Sequence, residues 1–199
     1  MKLIQRVIVL FLTLGLICFS LTQQVRAEST DRDNSLFISL AEQGDVNAQW
    51  ILGFMYLAGD GISKDPKQAF YWFTKAAEQG FAMAQFNLGL LYSNGEGVPQ
   101  DYQKAIEWYT KAAEQGFAMA QFNLGLLYNN GEGVPQDYEK ALEWYAKAAA
   151  QGHAKAQFNL GLMYNNGEGV PQDYQKALDL FTKAAEQGLE EAQTNLGIM

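Results

Sequence analysis

The chain has 199 residues, with 22 acidic side chains against 14 basic ones and a formal net charge of −8. This balance excludes the basic face that nucleic-acid binding requires. One cysteine and one histidine leave no disulfide framework and no cysteine–histidine set for zinc. The length suits one domain or two small ones held together by packing.

The first 27 residues have the order of a secretory signal peptide. Lys2 and Arg6 precede an apolar run over 7–21, and Val25 and Ala27 occupy the small-residue positions of a cleavage site. We predict a signal peptide over 1–27, cleaved after Ala27, and export to the periplasm or the medium. An uncleaved membrane anchor is the alternative, although the run is shorter than the roughly 20 apolar residues that span a bilayer.

The single cysteine, Cys18, lies inside this apolar run. Ile17 stands before it, where a lipoprotein signal has a small residue, so we expect no lipidation. Cleavage would leave a mature chain without cysteine and therefore without disulfides. We expect no stable membrane insertion after cleavage, because the mature chain is acidic.

An internal repeat of 36 residues organises the rest of the chain. The segment AEQGFAMAQFNLGLLY begins at Ala77 and again at Ala113. Self-similarity at such a period is the signature of a repeat architecture. The predicted segments are an N-terminal segment with a capping helix over 28–40, repeats over 41–76, 77–112, 113–148 and 149–184, and a partial fifth repeat or cap helix over 185–199.

Each repeat predicts two amphipathic helices. In the first helix, Ala84, Leu88 and Leu91 share one face at helical spacing. In the second helix, Ala105 and Trp108 begin a similar face. One helix pair cannot bury its apolar faces alone, whereas stacked pairs can. The pattern predicts an all-α, one-dimensional αα solenoid of about four and a half repeats.

A glycine recurs in the middle of the first helix, at Gly89, Gly125 and Gly161. Glycine inside a helix costs about 1 kcal/mol relative to alanine. Its recurrence therefore predicts a position where two helices touch closely. A hinge is the alternative.

The loop GEGVPQDY occurs three times, at 95–102, 131–138 and 167–174. Gly95 suits the left-handed stop of one helix, and Asp101 suits the cap of the next. The first repeat reads GISKDPKQ instead, with Pro66 at the favoured first helical position. Neither the glycine–lysine pattern of a phosphate loop nor the alternating acids of a calcium loop is present. We interpret the loop as structural.

These residues resemble the Sel-one-like repeat family, a relative of the tetratricopeptide repeats. The resemblance rests on AQFNLGLLYSNGEGVPQDYQKAIEWYTKAAEQG and its copies, and covers nearly all of 41–199. It implies a right-handed superhelix that scaffolds protein–protein interactions, with exported bacterial members implicated in signalling, envelope biology and host contact. A cysteine-rich branch is linked to β-lactam binding or hydrolysis, but its cysteine pairs are missing from this chain.

Beyond its core face, the first helix of each repeat carries a second apolar stripe and a parallel line of asparagines. In the related tetratricopeptide fold these positions face the concave groove, so the resemblance implies a surface for a protein or peptide partner. The alternatives are that the phenylalanines only pack between repeats and that the asparagines satisfy neighbouring loops. The candidate binding residues, here called the first-helix stripe, are Trp50, Phe54, Met83, Phe86, Asn87, Leu90, Met119, Phe122, Asn123, Leu126, Phe158, Asn159 and Leu162.

The only histidine, His153, occupies the turn position of Phe81 and Phe117 in other repeats. No serine of its own repeat could complete a triad, and no S-x-x-K motif occurs. We predict that His153 is a solvated turn residue, and that the chain has no catalytic residue, metal site or cofactor. The favoured function is a non-catalytic exported scaffold or adaptor. The alternative, by family analogy, is a β-lactamase-like hydrolase or β-lactam-binding protein.

Overall fold

The computed structural model describes residues 34–198, over which ten helices follow one another without a strand. The first, α1, runs over 34–42. The predicted signal peptide and its cleavage site lie outside the described residues and stay predictions. The other helices are α2 (Val46–Ala58), α3 (Pro66–Glu78), α4 (Ala82–Asn94), α5 (Tyr102–Glu114), α6 (Ala118–Asn130), α7 (Tyr138–Ala150), α8 (Ala154–Asn166), α9 (Tyr174–Glu186) and α10 (Glu190–Ile198).

The helices form an α-solenoid in which each helix packs mainly against the next one along the chain. The even-numbered helices from α2 onwards are the first helices of the repeats, and α3, α5, α7 and α9 are the second helices. Buried alanines, leucines and tyrosines of adjacent helices form a series of small cores, so that each core belongs to neighbouring repeats. The predicted all-α solenoid is confirmed.

The loop glycine and aspartate stop and start helices as predicted. Gly95 has a φ of 69°, in the left-handed region, and its N–H donates to the Leu91 carbonyl at the end of α4. The Asp101 carboxylate accepts a hydrogen bond from the Lys104 N–H at 3.1 Å, and so caps α5. In the first repeat, Asp65 caps α3, which begins at a proline. The structural interpretation of the loop is confirmed.

The second glycine of each loop makes a contact that the repeat pattern alone did not reveal. Gly133 lies against the backbone and Cβ of Tyr102, the first residue of the second helix in the preceding repeat. Gly97 lies in the same way against Pro66. The Gln103 side chain also donates a hydrogen bond to the Gly133 carbonyl. The loop therefore touches the preceding repeat as well as connecting two helices of its own.

The mid-helix glycines lie against aromatic rings, as the prediction of close helix contact requires. A Cβ built on Gly125 would come within 2.5 Å of the Tyr145 ring, and one on Gly161 within 2.7 Å of the Phe181 ring. Atoms cannot approach so closely, and the absence of a side chain lets each first helix sit directly on the ring of its second helix.

Candidate binding surface

The first-helix stripe contains three strongly exposed apolar side chains. Phe54 is 49% exposed, Met83 36% and Met119 45%. They lie on α2, α4 and α6, the first helices of three consecutive repeats. Every other member of the stripe is half-buried. The stripe is therefore partly a free surface and partly a layer packed within the solenoid.

The phenylalanines of the stripe pack between repeats. The Phe86 ring lies 5.2 Å from the Phe117 ring of the next repeat, and 5.8 Å from the Tyr109 ring. Phe122 stacks on His153 of the next repeat with 4.7 Å between centroids, and contacts Tyr145 of its own repeat at 5.9 Å. Such edge-on and tilted ring pairs contribute beyond the area they bury. These observations support the alternative in which the phenylalanines hold neighbouring repeats together.

The line of asparagines is also tied to neighbouring repeats. The Trp50 indole N–H donates to the Asn87 side-chain oxygen at 3.3 Å, which links α2 to α4. The same indole stacks on Phe54 and meets Phe81 edge-on at 6.1 Å. Asn87 thus accepts a hydrogen bond from a side chain of the preceding repeat, and not from a neighbouring loop.

Two further asparagines lie beside buried tyrosines. Burial raises the pKa of Tyr109 to about 12, and hydrogen bonding by Asn123 and by Ser93 acts in the opposite direction. Burial likewise raises the pKa of Tyr145 to about 12, with Asn159 opposing it. The Tyr145 hydroxyl is buried and has no hydrogen bond of acceptable geometry, although the Asn159 amide lies near it. Both phenols therefore stay protonated at neutral pH.

His153 differs from its predicted role as a solvated turn residue, which was wrong. It is half-buried at the N-cap of α8, where its Nδ1 accepts a hydrogen bond from the Ala156 N–H at 3.2 Å. Its ring stacks on Phe122 with 4.7 Å between centroids. Burial lowers the pKa of His153, and the charge of Lys155 lowers it further. The imidazole keeps the inter-repeat ring contact that Phe117 makes and adds a cap that phenylalanine cannot supply.

A buried line of glutamines, which the sequence analysis missed, runs through the solenoid. Gln121 donates to the Ala113 carbonyl at 3.0 Å and accepts from Gln151 at 2.8 Å, which joins α5, α6 and the end of α7. Buried polar groups are stable only when they are paired in this way. The members, here called the glutamine ladder, are Gln49, Gln85, Gln121 and Gln157, each bonded to the glutamine 30 residues later. The available signal was the glutamine that recurs in each AQ pair of the first helices.

The described part of the chain offers little for metal chemistry or membrane spanning. Within residues 34–198, no three histidine, cysteine, aspartate or glutamate side chains lie together as a metal site requires. None of the helices described is long and apolar enough to cross a bilayer.

The repeats match a known family model. The Sel1 repeat model matches residues 46–81, 82–117, 118–153 and 154–189. The chain belongs to the Sel1 repeat family. The Sel1 repeats begin where the first helices begin, whereas our predicted units begin at residues 41, 77, 113 and 149, within the last turns of the second helices or of α1. Sel1-repeat solenoids are generally protein-interaction scaffolds.

Solved Sel1 structures resemble the chain. The protective antigen c5321 of uropathogenic Escherichia coli strains, which displays an SLR fold, is 44% identical over 83% of this chain, with a TM-score of 0.82. A Sel1 repeat protein from Oxalobacter formigenes is 41% identical over 77%, with a TM-score of 0.73. The matches cover 36% and 63% of those two chains, respectively. Helicobacter pylori cysteine rich protein B is 31% identical over 68% of this chain and 96% of its own, with a TM-score of 0.53. A comparison with curated proteins found no match.

Proposed function

We propose that this Sel1 chain is an exported, non-catalytic scaffold that binds a protein partner along the first-helix stripe. The observation that carries the proposal is the row of exposed apolar side chains Phe54, Met83 and Met119 on three consecutive first helices. Methionine and aromatic side chains are enriched at protein interfaces. Met83 and Met119 hold the same position in consecutive repeats, and Phe54 holds the position of Leu90, two turns further along the first helix. The three together offer an extended contact rather than a single pocket.

The half-buried members of the stripe give this surface a rigid base. Phe86 and Phe122 are held by ring contacts to Phe117 and His153 of the next repeat, and Asn87 by the Trp50 indole. Side chains that are already fixed lose little conformational entropy when a partner binds. We therefore assign partner contact to the exposed side chains and the positioning of the surface to the half-buried ones.

The apolar stretch ends at the fourth repeat. Lys155 on α8 occupies the position that Met119 has in the preceding repeat. Glu191 on α10 occupies the same position in the following repeat. Both are exposed. We therefore expect the partner to contact α2, α4 and α6 through apolar side chains and to tolerate, or pair with, the Lys155 charge at the end.

The cellular setting is part of the proposal. The basic start, apolar run and cleavage pattern of residues 1–27 support export to the periplasm or the medium. The description of c5321 as a protective antigen is compatible with an exported relative. We accordingly propose a role in envelope signalling or host contact, with the stripe on the concave side of a right-handed superhelix, as the family resemblance implies.

Site-specific photo-cross-linking in the native cell tests this proposal. A photoreactive residue at position 83 or 119 should capture one and the same protein. The matched positions Glu107 and Glu143, exposed on second helices, should not. The double variant Met83→Lys, Met119→Lys should lose that protein without a change in melting temperature. Equal capture from both sets of positions would contradict binding through the stripe.

The enzymatic alternative has a simple test of its own. The similarity to cysteine rich protein B is a link to the cysteine-rich branch, yet this chain has a single cysteine. Incubation of the purified protein with a chromogenic β-lactam should give no turnover above buffer. Turnover that follows the protein through purification would overturn the non-catalytic proposal.

A further inference from the structure

The groove between α7, α8 and α9, here called the fourth-repeat groove, differs from the same groove in the middle repeats. It encloses about 420 Å³ and is lined by side chains that include Ala146, Ala150, Leu180 and Lys183. It involves α7, α8 and α9 but no residue of the first-helix stripe. An inference about it is therefore independent of the proposed function.

Three of its lining positions carry smaller or uncharged side chains than the middle repeats do. Leu180 stands where the second and third repeats have Trp108 and Trp144. Ala150 stands where those repeats have glutamates. Ala146 occupies the position that Thr110 has in the preceding repeat. All three differences remove volume or polarity from the same groove.

The middle repeats show what normally occupies this position. Trp108 packs against the core of α3 and α4, and Trp144 against the core of α5 and α6. The ammonium groups of Lys111 and Lys147 each lie 3.9 Å from the centroid of these rings. Lysine over an indole face is a favourable cation–π arrangement. The fold thus has a seat for an indole ring with a lysine above it.

In the fourth repeat the floor of this seat is uncovered. Leu160 is 7% exposed, whereas its counterparts Leu88 and Leu124 are 0% exposed. Ala149 is 9% exposed, against 3% for Ala113. Leu180 does pack against this core, but it is too small to cover what an indole covers. Lys183 lines the groove, and among the described residues no ring lines it at the indole position.

The groove of the first repeat provides the contrast. It encloses about 330 Å³, but the rings of Tyr71 and Trp72 line it. Lys75 lies 5.7 Å from the Tyr71 centroid, and the floor leucine, Leu52, is 0% exposed. This groove supplies its own aromatic rings, whereas the fourth-repeat groove combines an uncovered floor with a lysine beside a leucine that replaces the indole.

We propose that the fourth-repeat groove binds the indole ring of a tryptophan side chain on a partner protein, with the Lys183 ammonium over the ring. The ring would cover Leu160 and Ala149 as Trp144 covers the preceding core. A tethered side chain fits better than a free small molecule, because the groove is open on one side. Small-molecule sites usually bury most of the ligand, whereas a protein adds contacts around its anchor.

Titration of the full purified chain with N-acetyl-tryptophanamide, followed by NMR of backbone amides, tests the proposal. Saturable shifts should occur at Ala149, Ala150 and Lys183, and the counterparts Ala113 and Lys147 should stay unchanged. N-acetyl-leucinamide, the matched probe without a ring, should give weaker shifts. Absence of shifts at the groove, or shifts confined to the first-helix stripe, would overturn the proposal.

Three variants and one control variant sharpen the test. Leu180→Trp should fill the seat from within, raise the melting temperature and abolish the shifts. Ala150→Glu, which restores the middle-repeat residue, should reduce probe binding without adding a ring. Lys183→Ala should weaken binding roughly two- to fivefold, the size of an exposed cation–π interaction, while Lys147→Ala should leave it unchanged. Undiminished binding by Leu180→Trp would refute the assignment of the ring to this seat.

Discussion

Gly125 on α6 lies directly against the ring of Tyr145 on α7, at a distance where a methyl group would come within 2.5 Å of the ring. Tyr145 is almost fully buried, so its ring has no free space to move into. Gly125→Ala should therefore lower the free energy of unfolding by about 1–3 kcal/mol, as overpacking of a core does. Urea denaturation measures this change.

Gly197 is the matched control, because it occupies the same position two repeats later. A Cβ built on Gly197 would have no atom within 4 Å. Gly197→Ala should be neutral, or stabilising by up to about 1 kcal/mol from helix propensity. An equal loss in both variants would mean that helix flexibility, and not ring contact, selects glycine here.

The loop glycines should separate backbone strain from inter-repeat contact. Gly133 has a φ of 74° and lies against Tyr102, whereas Gly116 has a φ of 86° and nothing within 4 Å. Alanine at either position meets a backbone penalty of about 1–2 kcal/mol. Gly133→Ala should lower the melting temperature further, because its methyl group collides with the preceding repeat. Equal melting temperatures for the two variants would argue against that contact.

The glutamine ladder should contribute to stability at each repeat. Gln121→Leu removes the hydrogen bond to the Ala113 carbonyl and leaves the Gln151 amide without its partner. The expected loss is about 1 kcal/mol, the net contribution of a hydrogen bond, because the Ala113 carbonyl keeps the Gly116 N–H and Gln151 is exposed to water. Gln193, the exposed counterpart in α10, bonds only to the Ala185 carbonyl, so Gln193→Leu should change stability little. Urea denaturation measures the free energy of unfolding of both variants. Equal values for Gln121→Leu and Gln193→Leu would show that the glutamine ladder does not stabilise the fold.

His153 should make stability depend on pH near neutrality. Because the folded pKa is lowered, the unfolded chain binds the proton more readily than the folded chain. The contribution is complete above the ordinary histidine pKa of about 6.5, and is lost as the pH falls from there through the lowered pKa. Protonation also removes the Nδ1 acceptor for the Ala156 N–H.

His153→Phe provides the comparison, since Phe117 occupies the same position one repeat earlier. Unfolding free energies measured from pH 7.5 down to pH 5.5 should fall more steeply for the wild type than for this variant. Parallel curves would show that the pKa of His153 is the same in the folded and unfolded chains.

Two neighbouring members of the first-helix stripe should behave differently. Phe86→Ala removes a ring that packs on Phe117 and Tyr109, and should cost about 2 kcal/mol, less than the value for a fully buried phenylalanine. Met83→Ala, at an exposed position, should stay within about 0.5 kcal/mol of the wild type. Thermal unfolding followed by circular dichroism distinguishes the two. A Phe86→Ala variant as stable as the wild type would contradict the structural role of this phenylalanine and favour a role in partner binding.

The helix boundaries and the repeat architecture could be predicted because they depend on local chemistry. Gly95, Asp101 and Pro66 act on the backbone within a few residues of themselves, and apolar spacing is a property of one helix. The recurrence of these signals at a fixed period determined the all-α solenoid, since a single helix pair has too little apolar surface to bury.

The tertiary structure decided which recurring residues face neighbours and which face solvent. Periodicity gave Met83 and Phe86 one common stripe, yet Met83 is exposed, whereas Phe86 packs on Phe117 of the next repeat and on Tyr109 of its own. Likewise, the burial of Gln121, the ring contact of His153 and the uncovered floor at Leu160 depend on side chains from helices that lie far apart in the sequence. A repeat identifies equivalent positions, but their environments depend on the residues that the adjacent repeats place against them, and burial follows from that packing.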